Sequence, residues 1–134
     1  MVRSRIQVTL SRFLALVALS SLLTSCTHPI GIEISMRAGK PVFGFHDCGR
    51  LWKSQVKPEE VEVYEVSEGE RMTLVCSAKL TGVSEWTYGH MAQHCPPLEA
   101  DKIYEVAADK PGSMGIRRFR LSSAGALQPL MPAC

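Results

Sequence analysis

Two short segments concentrate the side chains capable of chemistry. His90-Met91-Ala92-Gln93-His94-Cys95 brings two imidazoles, a thioether and a thiol into six residues, and His46-Asp47-Cys48 adds an imidazole, a carboxylate and a thiol. Such donors suit zinc or copper, and two histidines four residues apart converge when a helix carries them. Pro96 and Pro97 follow the first segment, so it reads as a loop, where that spacing brings nothing together. Oxidation of the cysteines would also remove thiolate ligation. No metal ligand and no cofactor is therefore assigned. The chain has no Gly-x-Ser-x-Gly, no His-Glu-x-x-His and no phosphate-cradling glycine loop, the local patterns by which a nucleophile, a metal or a nucleotide is usually held. No catalytic residue is assigned, and an enzyme is not expected. The two polar loops, residues 45–52 and 89–98, remain as recognition elements. His46, Arg50, His90 and His94 are their binding candidates. Each loop holds a cysteine, whose oxidation would lower the ordering cost of association.

The first 25 residues behave differently from the rest. They hold three of the fifteen basic side chains (Arg3, Arg5, Arg12) and none of the thirteen acidic ones. The remaining 109 residues therefore carry a net charge of −1 and have no electrostatic reason to seek nucleic acid. After the basic lead, residues 13–23 (FLALVALSSLL) form an apolar run that as a helix would reach about 16 Å. A bilayer core is about 30 Å thick, so this run is too short to span it. A basic head, a short apolar run and small residues beyond it mark a secretory signal.

Leu23-Thr24-Ser25-Cys26 resembles the lipobox of bacterial lipoproteins. The resemblance implies removal of residues 1–25, a diacylglycerol on the Cys26 sulfur, and usually a third acyl chain on the new amino group. One acyl chain anchors marginally and two or more hold firmly. Thr27 stands where an Asp would resemble an inner-membrane retention signal, which points to the outer membrane, facing the periplasm. Residues 26–29 are then a lipidated tether of at most about 14 Å, and residues 30–134 a single domain close to its membrane.

Four cysteines remain: Cys48, Cys76, Cys95 and Cys134. An even number in a small exported domain implies two disulfides, with three possible pairings. Loop-closure entropy weakly favours Cys76 with Cys95, leaving Cys48 with Cys134. Cys48–Cys95 with Cys76–Cys134 stands close behind.

The elements that must position these residues read as strands. Residues 30–36 (IGIEISM) alternate strictly, and residues 42–45, 61–66, 72–80, 86–88, 103–107, 116–121 and 126–130 are further strands. Gly- and Pro-bearing turns part them roughly every ten residues, with one helical turn conceivable within 51–60. In 72–80 the even positions are apolar, which places Cys76 on an inner face. Trp86 and Tyr88 alternate and should share the core side. Six glutamates (59, 60, 62, 65, 68, 70) and three arginines (117, 118, 120) read as a solvated, mutually opposed charged face. The expected fold is all-β, a small antiparallel sandwich or barrel after the signal helix.

Trp86-Thr87-Tyr88-Gly89, Cys95-Pro96-Pro97-Leu98 and Tyr104-Glu105-Val106 resemble segments of small proteobacterial periplasmic lipoproteins. Some of that group are proposed as immunity proteins against type VI secretion toxins. The resemblance, over residues 60–127, implies a binding module whose partner is an envelope or toxin protein. The alternatives are a structural envelope lipoprotein and a periplasmic metal-binding protein.

Overall fold

A computed structural model describes residues 28–49 and 54–134. The signal segment, Cys26 and Arg50 lie outside the described residues. Among the described residues, eight strands and one short 3₁₀ turn account for the regular structure: β1 Ile30–Arg37, β2 Lys40–Asp47, β3 Glu60–Ser67, the turn η1 Glu68–Glu70, β4 Arg71–Lys79, β5 Glu85–Thr87, β6 Ile103–Lys110, β7 Ser113–Leu121 and β8 Leu127–Pro129. They pair antiparallel in a three-stranded sheet, β1-β2-β5, and a five-stranded sheet, β4-β3-β6-β7-β8. The chain is an all-β sandwich. Among the described residues no helix is long and apolar enough to cross a membrane.

Local chemistry explains the hairpins. Arg37 faces Lys40 across a two-residue loop, and both loop residues, Ala38 and Gly39, have positive φ (51° and 77°). That is the backbone of a type I′ turn, whose twist matches that of the strands. Pro111 and a left-handed Gly112 (φ 79°) join β6 to β7, the residue pattern of a type II turn. In the segment after β2, Gln55 bridges to His46, and the Val56 amide donates to the Phe45 carbonyl at 3.0 Å. The described part of residues 51–60 is thus extended, and Pro58 is fully buried in a loop.

The core is aromatic across the sheets. Phe43 of β2 stacks on Trp86 of β5 (centroids 5.7 Å) and meets Phe119 of β7 at 5.7 Å, and Phe119 stacks on Tyr104 of β6 at 5.8 Å. Val61, Val63, Val106 and Ala108 fill the five-stranded side, and Ile32 the other. Trp86 and Tyr88 are both buried, as their alternation predicts. The Trp86 indole donates to the His90 carbonyl at 2.7 Å, and the Tyr88 hydroxyl to that of Pro96 at 2.6 Å. Buried aromatics with a polar handle need such partners, and these two tie the 90–97 loop to the core.

Two disulfides form, Cys48–Cys134 and Cys76–Cys95, the pairing that loop entropy favours. The C-terminal segment leaves β8 and crosses to β1, where the Ala133 carbonyl accepts from the Ile32 amide at 3.1 Å. β7 comes close against β1 at Gly115, where a Cβ would lie 1.9 Å from the Ile30 carbonyl oxygen.

Two expectations need correction. Cys76 and Ala78 point inward, but Met72 and Leu74 are exposed. Val63 pairs with Cys76 and Tyr64 with Leu74, so Val75 is an extra residue in β4. One inserted residue turns every side chain beyond it to the other face. The three arginines are likewise not one solvated set. Arg117 shares the parity of Phe119 and points inward. Its Nε donates to the Met131 carbonyl at 3.0 Å and its Nη1 to that of Ile32 at 2.8 Å. An arginine thus joins β7, β1 and the C-terminal segment.

Candidate functional site

The outward face of the five-stranded sheet follows from register. Tyr64 stands between Leu74 and Glu105, with Arg118 beyond; Glu62 pairs with Ala107, which faces Ile116; Glu60 pairs with Asp109, which faces Met114. Met72, Leu74, Met114 and Ile116 on this face are between 42% and 59% exposed. An inner-face pattern interrupted by the β4 bulge delivers the first two. The β6–β7 hairpin delivers the others.

Between these apolar flanks lies a hollow of about 360 Å³, lined by Glu62, Tyr64, Met72, Glu105, Ala107, Asp109, Met114 and Ile116. Three carboxylates and no cation line it. Glu105 is only 6% exposed and is held by Arg118, whose Nε donates to its Oε1 at 3.0 Å. The other arm of Arg118 donates to Glu70 at 2.6 Å. That pair holds the Glu70 carboxyl below the usual carboxylate range and keeps the guanidinium protonated. A carboxylate taken from water needs a charged or donating partner, and Arg118 is that partner. The Tyr64 hydroxyl donates to Glu62. Its pKa is pushed up to about 12, first by that bond, then by burial and by the charges of Glu62, Glu60 and Glu105.

A larger hollow, about 810 Å³, lies at one end of the sandwich. Lys57, Lys79 and Lys110 share its lining with Glu59, Glu60 and Asp109, so its formal charges balance, beside Pro58, Leu80 and Pro111. Beside it, His28 and Pro29 share a shallow cleft with Lys110 and Met114. The chain leading into β1 therefore runs next to the end of the acidic hollow.

No family model, curated protein or solved structure matches this chain.

The binding candidates read from the sequence do not gather at one place. His46 is buried, paired with Gly31 and with its Nε2 at 3.4 Å from the Cys134 sulfur. His90 and His94 are exposed in the loop after β5, near Pro41 at the other end of β2, where the Tyr88 amide donates to the Pro41 carbonyl. Five residues of extended strand, about 17 Å, part Pro41 from His46. The segment from His90 to Cys95 is not helical, so its two histidines lack the helical spacing that aims a pair at one ion. Sequence reasoning missed Met72, Leu74, Met114 and Ile116. One signal was present: Phe119 and Leu121 alternate with Ile116, Arg118 and Arg120, and parity alone sends those three outward.

Proposed function

We propose that this protein is a lipid-anchored interaction module of the bacterial envelope. In this reading it is processed before Cys26 and held at the periplasmic face of the outer membrane. The outward face of its five-stranded sheet binds a protein partner that presents basic side chains between apolar ones. The observation that carries the reading is the exposure of four large apolar side chains on one sheet face, three of them lining an acidic hollow. Clustered apolar exposure of this kind marks interaction surfaces. Methionine and tyrosine suit the centre of such a surface, and the carboxylates would steer and orient a basic partner. The Leu23-Thr24-Ser25-Cys26 motif supports the anchor. The nearness of the tether to Met114 would hold a bound partner beside the membrane. An immunity-type role is the case in which the partner is a toxin delivered to the periplasm, and a gene for one alongside would favour it.

The test uses the full-length lipidated protein in detergent, cross-linked and purified from envelopes. Leu74→Arg with Ile116→Arg should lower recovery of the wild-type partner at least tenfold while the disulfides still form. His90→Ala with His94→Ala should leave recovery unchanged. Loss in the histidine variant with retention in the arginine variant would move the site to the 90–97 loop. For the anchor, Cys26→Ser should abolish acyl labelling and leave the unprocessed chain; labelling that persists refutes it.

A further inference from the structure

The end of β2 holds a second constellation, unconnected with the acidic face. A ring nitrogen of His46 and the sulfurs of Cys48 and Cys134 all lie within 4.8 Å of one another. The two sulfurs are bonded in a disulfide, and the imidazole is 7% exposed. We infer that reduction of the Cys48–Cys134 bond turns this junction into a three-donor site for a thiophilic divalent ion of the zinc class, leaving the fourth position to water.

The geometry supplies the argument. Tetrahedral zinc, with bonds of about 2.0–2.1 Å to nitrogen and about 2.3 Å to sulfur, places an N and an S ligand about 3.6 Å apart and two S ligands about 3.8 Å apart. His46 Nε2 already stands 3.4 Å from the Cys134 sulfur. The donors are also held by backbone bonds that reduction leaves intact. His46 pairs with Gly31 and bridges to Gln55. The Cys48 amide donates to the Pro29 carbonyl at 3.1 Å, and the residue before Cys134 accepts from Ile32. Two freed thiols would therefore stay near the imidazole instead of dispersing. Room for the ring against the sulfur exists because position 31 is glycine: a Cβ there would lie 2.3 Å from His46 Nε2 and 2.7 Å from the Cys134 sulfur.

The chemistry balances with a dithiol reductant. It supplies two electrons and two protons and closes to its own disulfide, while the S–S bond breaks and two S–H bonds form. Zinc then displaces both thiol protons. Two thiolates, a neutral imidazole and a divalent ion sum to no net charge, which suits a partly buried junction. The disulfide and the ion are thus alternative staples of the C-terminal segment to β2.

The experiment takes the full chain reduced by a phosphine, which is not itself a thiol ligand, and titrates it with Zn²⁺, with Co²⁺ as a spectroscopic probe. One equivalent should bind the reduced chain, with cobalt–thiolate charge-transfer absorption, and at least a hundredfold more weakly to the oxidised chain. His46→Ala should weaken binding at least tenfold, and His46→Gln provides the same test should the alanine variant not fold. Cys76→Ala with Cys95→Ala should leave binding unchanged. Equal binding by oxidised and reduced chains, binding unaffected by either His46 variant, or a reduced chain that takes up no metal, folded or unfolded, overturns the inference.

Discussion

Arg117→Met offers the sharpest test of how the sandwich closes. The guanidinium makes two charge-assisted hydrogen bonds, to the Met131 carbonyl at 3.0 Å and to the Ile32 carbonyl at 2.8 Å. Hydrogen bonds to charged groups contribute about 1.5–3 kcal/mol each, so both together amount to about 3–6 kcal/mol. Methionine has a similar stem and recovers about 1–2 kcal/mol by burying an unbranched apolar chain. The net cost is about 1–5 kcal/mol, a large part of a small domain's stability. Arg120→Met is the control. Its Nε meets the Gln128 side chain at the surface, at 3.3 Å, and its loss should cost under about 0.5 kcal/mol. Urea unfolding of the oxidised variants reads both numbers. Amide hydrogen exchange adds a local readout: the Ile32 amide, which donates to Ala133, should exchange faster in Arg117→Met as the C-terminal segment loosens. If the two variants unfold within about 0.5 kcal/mol of each other and Ile32 stays protected, the inward arginine does not fasten that segment.

Three further outcomes are expected. Gly115→Ala must push a Cβ away from the Ile30 carbonyl, 1.9 Å distant, and should cost about 3 kcal/mol. Gly44→Ala, whose Cβ would meet only Glu33 at an ordinary 3.8 Å, should cost under about 1 kcal/mol; equal costs in urea would deny the close approach. The Cys48–Cys134 bond closes 86 residues and Cys76–Cys95 closes 19. Loop entropy then gives about 4.6 and about 3.2 kcal/mol, so the paired Cys→Ala variants should rank in that order, and the reverse order would reject the entropic account. Tyr64 ionises at about 12 instead of 10. Its neutral form therefore stabilises the fold fully below about pH 10, and that contribution is lost as pH rises through 12. Glu62→Gln should move the phenolate absorbance transition back toward 10; an unmoved transition would discount Glu62.

Strand positions, turns and fold class were legible in the residues because they rest on local sterics. Period-two alternation marks half-buried strands, and Gly39 and Gly112 supply the left-handed backbone that short hairpins require. The disulfide pairing was legible to the extent that loop length decides it. What the tertiary structure alone decided depends on register between segments distant in the chain. The extra residue at Val75 is set by pairing with β3, and it turned Met72 and Leu74 from expected core into exposed surface. Arg117 and Arg118 are neighbours in sequence, yet one faces the C-terminal segment and the other Glu105 and Glu70. Their charge is a property of the side chain, but the partner is chosen by which face of β7 each occupies. His46 and His94 likewise belong to separate ends of the molecule, because β2 runs between them. Composition names the groups available; only the pairing of strands determines which groups meet.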